Sequence, residues 1–450
     1  MQKGKNYPSH KLRTIKEGLV EITVPEFEKI SSDAPVFYNP QMEFNRDISI
    51  LALQNFQEEL GKDIKICDLF GGSGIRGIRY KKEISGVDQV TINDISSMAI
   101  ENIVFNGKNN NLSVKTIISE NEEDIENSTQ SKDKGELNDK TELNENTELN
   151  ENLDLKVRQK EANILLRQGR GEFDIVDVDP FGTPSYFIDS LGYSLKKNSL
   201  ACVTATDTSA LCGTYKEPAL RKYNAMPYKS EYCHETGIRI LIGFVALSFG
   251  KYKKYVIPQL SHSSQHYMRT YLKVKKSSAD TDESLNTNIG YIGHCPKCLY
   301  RKTFKGIATA IDKTCPECGD DLIIAGPLWI GNIHNKDFIK GMIEKIPEKC
   351  LNTEKKILKL LNSCYDEADA PITFYDVHKI SKVLKISAPK LDELMNKLKE
   401  EGYSVVRTHF NPLGIKTDAD IKIIKEMVQE LSSDKRENNS TNNEQQHNKQ

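Results

Sequence analysis

The feature that most constrains this chain is a glycine-rich loop, Asp68–Gly77, which follows a predicted strand and opens a predicted helix. Within it, Gly72–Gly77 matches the G-x-G-x-x-G pattern, whose glycines let the backbone turn sharply and approach a ligand closely. The next predicted strand ends at Asp94, a carboxylate that can accept hydrogen bonds from both ribose hydroxyls of a nucleoside. Together they predict a Rossmann-like sheet and a nucleoside-bearing cofactor, with Gly72 and Gly74 as binding residues. A glycine turn without a ligand is the alternative, and the loop alone does not separate NAD from S-adenosylmethionine.

Around this loop, predicted strands and helices alternate in the way that a parallel α/β sheet requires. The predicted strands are residues 64–70, 90–94, 114–118, 173–178 and 200–206, with a helix at 96–106. No run approaches the ~18–20 apolar residues of a membrane-spanning helix. The first residues also lack the apolar stretch of a secretory signal. We therefore expect a cytoplasmic protein that has no membrane partner.

An acidic segment, residues 120–154, interrupts the alternation. It holds 13 acidic residues and three lysines and includes the tandem hexapeptides 141–146 and 147–152. Its low hydrophobicity and one-sign charge predict a disordered insertion. Because the segment carries −10 and the whole chain −2, the remainder carries +8, which suits a polyanionic partner. A mixed surface without nucleic acid is the alternative.

A second motif, Asp179–Gly182 (Asp-Pro-Phe-Gly), follows the fourth predicted strand, where open α/β sheets present catalytic groups. It resembles the [D/N]-P-P-[F/Y/W] tetrapeptide of methyltransferases that act on exocyclic amino groups. Such an amine is a weak nucleophile; the Asp179 carboxylate and a backbone carbonyl held by Pro180 can accept its N–H groups, and Phe181 offers a stacking face. The motif could instead merely end the strand, but three acids between residues 174 and 179 are costly to bury without a purpose. The motif favours S-adenosylmethionine over NAD.

Further motifs, in the same order along the chain, identify a family. The chain resembles the tRNA (guanine-N2)-dimethyltransferases that modify guanine at position 26, over most of residues 10–425 outside the acidic segment. The matching residues are Phe37–Asp47, Gly74–Tyr80, Asn93-Asp94, Ala162-Asn163, Asp179–Gly182, Ala205–Asp207, Leu211–Gly213, His266-Tyr267 and Gly414–Asp418.

The resemblance implies a role for each site residue. It implies that S-adenosylmethionine is the cofactor and that it contacts Arg46, Arg76, Asp94, Glu161 and Ala162. It also implies that Asp179 accepts hydrogen bonds or a proton from guanine N2, while Phe37 and Phe181 sandwich the base. Arg46 suits the methionine carboxylate. Two departures stand out: Glu161 replaces the family's usual Asp, and the loop has a double glycine after Phe70.

Four of the ten cysteines form two C-x-x-C pairs, Cys295/Cys298 and Cys315/Cys318, separated by sixteen residues. This spacing is typical of a structural Zn²⁺ site with four thiolates and no open position, here a zinc ribbon at 291–320. Disulfides or iron are minor alternatives. The lysines and arginine of this region (Lys297, Arg301, Lys302, Lys305 and Lys313) could attract tRNA phosphates or simply solvate the ribbon. The other six cysteines are interpreted as buried apolar residues.

The predicted domains follow from these features. They are a methyltransferase domain at 1–270, an α+β tRNA-binding domain at 271–431 and a disordered tail at 432–450. Within the second domain, residues 354–410 read as three amphipathic helices and a strand at 403–407, a winged-helix-like pattern. Residues 277–287 are predicted to be a linker or loop.

Three further candidates lie between the two motif regions. Asp207 follows the fifth predicted strand, where it would hold the site or touch RNA. The pair His234-Glu235 is interpreted as the start of an apolar helix rather than a metal site. Residues 261–270 are polar, aromatic and basic, and are predicted to form an RNA-facing strand edge.

The sequence therefore predicts an enzyme that transfers one or two methyl groups from S-adenosylmethionine to guanine N2 at position 26 of tRNA. Its partner is tRNA, and no obligate protein partner is evident. Two alternatives stay open: an amino-methyltransferase that acts on DNA, and a zinc-ribbon nucleic-acid-binding protein with an inactive methyltransferase fold. A nicotinamide oxidoreductase leaves Asp179–Gly182 without a role.

Overall fold

A computed structural model describes residues 11–25, 36–118 and 153–433. Most of the predicted acidic insertion and residues 434–450 of the predicted tail lie outside these ranges. The chain divides into two compact units, the first Met1–Asp177 with Glu348–Asn352, and the second Val178–Pro347 with Thr353–Gln450.

The first unit contains an antiparallel strand pair and a parallel sheet. Its strands are β1 (Leu12–Glu17), β2 (Val20–Pro25), β3 (Ile64–Asp68), β4 (Val87–Asp94), β5 (Val114–Ile118), β6 (Leu155–Gln159) and β7 (Ile175–Val178), and its helices are α1 (Glu43–Leu60), α2 (Ile75–Glu83), α3 (Ser97–Asn109) and α4 (Ala162–Gln168). β1 pairs with β2, and the parallel strands run in the order β5-β6-β4-β3-β7. The boundary between the units falls inside β7, after Asp177.

The parallel strands are apolar because a parallel sheet is covered on both faces. All four residues of β7 are buried, and in β3 the side chains of Ile64, Ile66 and Cys67 are fully buried. The predicted α/β alternation is confirmed. β6 was missed, because it follows the acidic segment directly and contributes only two apolar residues, Leu155 and Val157, to the core.

The second unit begins with an antiparallel arrangement. Its first strands are β8 (Ser199–Ala205), β9 (Lys254–Ser264) and β10 (Tyr267–Lys276), in the order β8-β10-β9, and its first helices are α5 (Ser185–Ser194), α6 (Thr208–Leu211), α7 (Lys216–Tyr223), α8 (Cys233–Gly250) and α9 (Ser278–Asn288). β8 is buried along its whole length, and α8 buries most of its side chains.

Two small sheets complete the second unit. The strands β11 (Ile289–His294), β12 (Arg301–Lys305) and β13 (Ile323–Trp329) form one sheet in the order β12-β11-β13, and β14 (Tyr375–Asp376), β15 (Val405–Thr408) and β16 (Asn411–Thr417) form another in the order β14-β16-β15. The helices of this region are α10 (Lys336–Glu344), α11 (Glu354–Asp366), α12 (Val377–Leu384), α13 (Leu391–Glu400) and α14 (421–433). The three helices and the strand predicted within 354–410 are therefore present.

Two local predictions differ from the structure. The predicted linker 277–287 is helix α9: the Ser277 side chain accepts a hydrogen bond from the Asp280 amide at 3.3 Å, and Thr281 is buried. The sequence did not predict this helix, because its residues are mostly polar and only a few of its side chains are buried. Residues 432 and 433, assigned to the tail, belong to α14. Among the described residues, no helix has the length and apolar character needed to cross a membrane.

Candidate functional site

The glycine loop between β3 and α2 is held open by backbone conformations that other residues rarely adopt. Gly72 and Gly74 have φ values of 52° and 82°. A Cβ on Gly72 would lie 2.9 Å from the Phe37 carbonyl oxygen, and that oxygen also accepts a hydrogen bond from the Ser73 amide at 3.1 Å. The segment that carries Phe37 therefore packs directly against the loop, which explains why the glycine is required.

Asp94, at the end of β4, stabilises the same loop. Its Oδ2 accepts a hydrogen bond from the Gly72 amide at 2.8 Å, and its Oδ1 accepts one from the Ser96 amide at 2.9 Å. Each carboxylate oxygen has a second acceptor site. The half-buried carboxylate can therefore still accept hydrogen bonds from a ligand's hydroxyl groups.

The neighbouring Asn93 links three chain segments. Its Nδ2 donates to the Leu69 and Lys160 carbonyl oxygens at 3.2 and 3.0 Å, and its Oδ1 accepts from the Lys160 amide at 3.2 Å. Lys160 immediately precedes Glu161. Asn93 thus determines where Glu161 lies relative to the glycine loop.

Glu161 serves as the N-cap of α4. Its Oε2 accepts from the Ile164 amide at 3.0 Å, its Oε1 accepts from Asn163 Nδ2 at 3.1 Å, and Ala162 behind it is buried. A carboxylate in this position favours the helix by satisfying a free amide. The longer Glu side chain therefore caps the helix N-terminus, as Asp commonly does.

Arg46, on α1, lies in a buried ion pair. Its Nε and Nη2 donate to the two Glu17 carboxylate oxygens at 2.8 and 2.5 Å, and Nη2 also reaches the Asn39 carbonyl oxygen at 3.1 Å. Burial by itself raises the pKa of Glu17, but the guanidinium groups of Arg46 and Arg79 outweigh it and hold that pKa below its usual value. Nη1 of Arg46 makes no hydrogen bond within the described part of the chain.

Arg76, on α2, is buried among polar partners rather than standing at the loop surface. Its guanidinium donates to Asn45 Oδ1 at 2.9 Å, to Ser49 Oγ at 3.2 Å and to Asp177 Oδ2 at 3.4 Å. The Tyr80 hydroxyl also donates to Asp177. Sequence reasoning singled out Arg76 but missed these partners, because they come from α1 and β7.

The three acids around β7 have different surroundings. Asp174 is buried and accepts from Lys62 Nζ at 2.7 Å and from the Lys65 amide at 3.0 Å. Asp177 is fully buried with Tyr80 and Arg76, as described above. Asp179 is partly exposed. The first two acids make buried contacts within the first unit, whereas Asp179 keeps part of its surface exposed to solvent.

The loop Asp179–Gly182 belongs to the second unit and is tied to the end of β8. The Gly182 amide donates to Thr206 Oγ1 at 2.7 Å, and the Thr206 amide donates to the Gly182 carbonyl oxygen at 2.9 Å. Pro180 is buried, whereas Phe181 is 53% exposed. The loop is therefore held by its backbone and presents an aromatic side chain to solvent.

Asp207 has a positioning role in this region. Its Oδ1 accepts from the Tyr223 hydroxyl at 2.6 Å and its Oδ2 pairs with Lys222 at 3.2 Å. The Thr183 hydroxyl donates to the Tyr223 hydroxyl at 2.9 Å. A series of hydrogen bonds therefore connects Asp207, through Tyr223, to Thr183, the residue after Gly182. Burial raises the pKa of Tyr223 well above its usual value, and Asp207 adds to the shift.

The segment 261–270, predicted to face RNA, is largely internal. Ser261, His262, Arg269 and Thr270 are fully buried in the β9–β10 hairpin, and Arg269 donates to Thr204 Oγ1 at 2.8 Å. The polar residues pair with one another across the strands, for example Ser261 with Thr270 at 2.8 Å. Alternating polar residues here reflect internal pairing.

The four cysteines of the C-x-x-C pairs come together in the second unit. The ligand atoms lie within 4.8 Å of one another, with Sγ–Sγ distances of 3.5 Å for Cys295–Cys318 and for Cys298–Cys315. All four are free thiols. Tetrahedral Zn²⁺ with Zn–S bonds of about 2.3 Å requires sulfurs about 3.8 Å apart. This group could therefore hold one metal ion.

One basic residue of this region does not face solvent. The Arg301 guanidinium lies 4.3 Å from the Tyr232 ring centre and 4.2 Å from that of Tyr375, and it pairs with Glu231. The cation–π contacts and the ion pair stabilise the positive charge of Arg301 in this partly buried position. Lys302, Lys305 and Lys313 are exposed, as expected for residues that could meet phosphates.

Comparison with known proteins identifies the family. The profile described as TRM, N2,N2-dimethylguanosine tRNA methyltransferase, matches residues 18–135 and 137–429. The protein of Methanobrevibacter smithii named tRNA (guanine(26)-N(2))-dimethyltransferase is 57% identical over 424 residues, which cover 94% of this chain and 99% of its own. Its namesake from Methanosphaera stadtmanae is 45% identical over 421 residues, covering 94% and 97%.

A solved structure agrees with these sequence matches. The complex of Trm1 from Pyrococcus horikoshii with S-adenosyl-L-methionine is 32% identical, covers 93% of this chain and 100% of its own, and superposes with a TM-score of 0.76. This similarity confirms that the α/β sheet is of the methyltransferase type. The chain therefore belongs to the N2,N2-dimethylguanosine tRNA methyltransferase family.

Proposed function

We propose that this chain transfers one or two methyl groups from S-adenosylmethionine to the exocyclic N2 of guanine 26 in tRNA, with Asp179 as the group that accepts hydrogen bonds from N2. The names of its relatives support the reaction and the substrate, and the Trm1 complex supports the cofactor. The observation in this chain that carries the proposal is the Asp179–Gly182 loop, which keeps a carboxylate partly exposed directly after β7, whereas the nearby Asp174 and Asp177 are buried.

The residues around the glycine loop suit a nucleoside cofactor that carries a carboxylate. Gly72 leaves room beside Phe37, and Asp94 retains acceptor capacity for ribose hydroxyls. Nη1 of Arg46 is available for a carboxylate. Arg76 would act mainly by keeping α1, α2 and β7 together. Glu161 and Ala162 at the start of α4 would contact the adenine side.

When bound, S-adenosylmethionine supplies an electrophilic methyl group on a positively charged sulfur. Asp179 would accept a hydrogen bond from guanine N2 and orient the nitrogen lone pair. It could then take the proton that N2 loses as the N–C bond forms and the sulfur–methyl bond breaks, its electron pair staying on sulfur. The Pro180 ring fixes the backbone φ angle of that residue, which helps to hold the backbone carbonyl beside it in one position. Burial raises the pKa of Tyr267, and Tyr271 and Asp179 add to that shift.

Phe181 and Phe37 would hold the base. The exposed Phe181 ring gives a flat face on which an extruded guanine can stack. Phe37 is partly buried, and its backbone packs on the glycine loop. Its side chain is proposed as the second stacking partner on the strength of the family resemblance.

The second half of the second unit would bind the tRNA body. The four cysteines would hold a structural Zn²⁺ as a zinc ribbon at 291–320, and the exposed Lys302, Lys305 and Lys313 would contact phosphates. The helices α11 to α13 with β15 would form a winged-helix-like part. The alternatives of a DNA methyltransferase or an inactive binding protein are not favoured, since the relatives are named as tRNA enzymes.

The reaction is tested with unmodified transcripts of one tRNA that differ only at position 26. We expect the native chain with labelled S-adenosylmethionine to form methylated guanosine in the transcript that has guanine 26. A transcript with adenine 26 should accept no label. Methylation of the adenine 26 transcript at the same rate, or of duplex DNA in preference to either, would contradict the proposal.

A further inference from the structure

A second cluster of potential metal ligands lies in the second unit, apart from the four ribbon cysteines. His334, Cys364, Glu367 and His409 each offer one ligand atom, and these atoms lie within 4.8 Å of one another. His334, Cys364 and Glu367 are at most 4% exposed, and the His409 side chain is 1% exposed. Imidazole, thiolate and carboxylate are the groups that Zn²⁺ binds in proteins.

The His334 imidazole has no hydrogen-bond partner within residues 11–25, 36–118 and 153–433. Both of its ring nitrogens are buried and unsatisfied, although buried polar atoms are nearly always bonded. An unsatisfied, buried imidazole nitrogen can donate its lone pair to a metal ion.

The His409 imidazole has the orientation of a metal ligand with a supporting carboxylate. Its Nδ1 hydrogen-bonds to Glu367, and its backbone amide donates to the same carboxylate at 2.9 Å. Its Nε2 is buried and has no partner in the described part of the chain. Histidines that bind metals commonly donate their other ring N–H to a carboxylate. The ring centres of His334 and His409 are 5.5 Å apart, so one ion could reach both.

One of the four residues, Glu367, also belongs to a buried charge network. Lys416 Nζ lies 3.0 Å from Glu235 and 3.4 Å from Glu367, and Arg239 lies 2.9 Å from Glu235. Two carboxylates thus face two cations. This network accounts for the two carboxylates, Lys416 and Arg239. Among the described residues, it provides no hydrogen-bond partner for either ring nitrogen of His334 or for Nε2 of His409.

We propose that His334, Cys364, Glu367 and His409 bind a second structural Zn²⁺. The ion would join three segments that are distant in sequence: the turn before α10, the end of α11, and the turn between β15 and β16. Binding displaces the Cys364 thiol proton to solvent as the Zn–S bond forms. With four protein ligands in a buried position, the site has no open coordination position for chemistry.

The test counts zinc per chain in full-length protein by elemental analysis after dialysis against free Zn²⁺ and then against metal-free buffer. The native chain should hold two ions, and the double ribbon variant Cys315→Ser, Cys318→Ser should keep one. Cys364→Ala should lose one, as should His334→Gln, with a lower melting temperature that added Zn²⁺ does not restore. The matched control Cys202→Ala removes a buried thiol outside any metal-ligand group and should still hold two.

The ribbon variant keeps the result decisive even if the cluster variants fold poorly. A folded ribbon variant that binds no zinc would overturn the proposal, as would a Cys364→Ala chain with the native zinc content. A native chain with one ion that Cys364→Ala removes and the ribbon variant retains would support this site and reject the ribbon's metal.

Discussion

The acidic residues of two neighbouring stretches of the chain differ in burial and in hydrogen-bond partners. In and before β7, Asp174 and Asp177 are 2% and 0% exposed and are fully committed to Lys62, Tyr80 and Arg76. In the loop that follows, Asp179 is partly exposed and Phe181 is 53% exposed. The residue type is the same, so its partners decide whether an acid stabilises the fold or remains accessible to a substrate.

The largest expected effect comes from removing a buried acid. Asp177→Asn leaves the Arg76 guanidinium buried without its carboxylate, and losing one partner of such a pair costs about 3–5 kcal/mol. We expect a lower free energy of unfolding for the first unit, measured by urea or thermal unfolding. The exposed Asp88→Asn, whose carboxylate lies 3.7 Å from Lys65, is the matched control and should change little. If Asp177→Asn has the native free energy of unfolding, the buried acid does not stabilise the fold, and the contrast with Asp179 is contradicted.

The next effect concerns the exposed side of the comparison. Phe181→Ala should leave the melting temperature unchanged, because the ring is more than half exposed. It should lower kcat/KM for tRNA by about 10-fold or more, since stacking of a base on an aromatic ring contributes about 1–3 kcal/mol. Phe105→Ala, which removes another exposed ring, is the control. A stability loss without a kinetic effect would assign Phe181 to the fold.

Asp94 lies between the two extremes, because it stabilises the loop and still has acceptor capacity. Asp94→Asn should weaken S-adenosylmethionine binding about 10-fold, corresponding to the loss of about 1.4 kcal/mol. Isothermal titration calorimetry measures this change. Since the amide keeps one acceptor oxygen for the Gly72 N–H, the unfolding transition should move less than that of Asp177→Asn. The opposite order of the two stabilities would contradict this assignment.

The smallest effect is expected at Glu161. Glu161→Asp keeps a carboxylate at the N-cap of α4, and Asp is a favourable residue there, so the free energy of unfolding should change by less than about 0.5 kcal/mol. The dissociation constant for S-adenosylmethionine should also stay close to the native value. A large loss of affinity would show that the extra methylene of Glu161 is needed for the cofactor.

The sequence predicted those features whose determinants are local. The glycine loop, Asp94 at the end of β4 and the two C-x-x-C pairs are contiguous patterns, and the structure has them on the expected elements. The partners of Arg76 could not be predicted, because Asn45, Ser49 and Asp177 come from elements far apart in the chain.

The same limit applies to the second unit. The His334 cluster has irregular spacing and draws on three separate turns and helix ends, so no motif reveals it. Helix α9 was read as a linker because few of its side chains are buried and polar residues dominate it. Packing between distant segments, which a single sequence does not display, determined both.

The central proposal is that the Asp179 carboxylate takes a direct part in methyl transfer. The most direct measurement compares native chain and Asp179→Asn for S-adenosylmethionine affinity, melting temperature and kcat on tRNA with guanine 26. We predict an affinity within about twofold of native, an unchanged melting temperature and a kcat lower by about 100-fold or more. A variant that keeps about half of the native kcat, or that loses activity only because it unfolds, would contradict the claim.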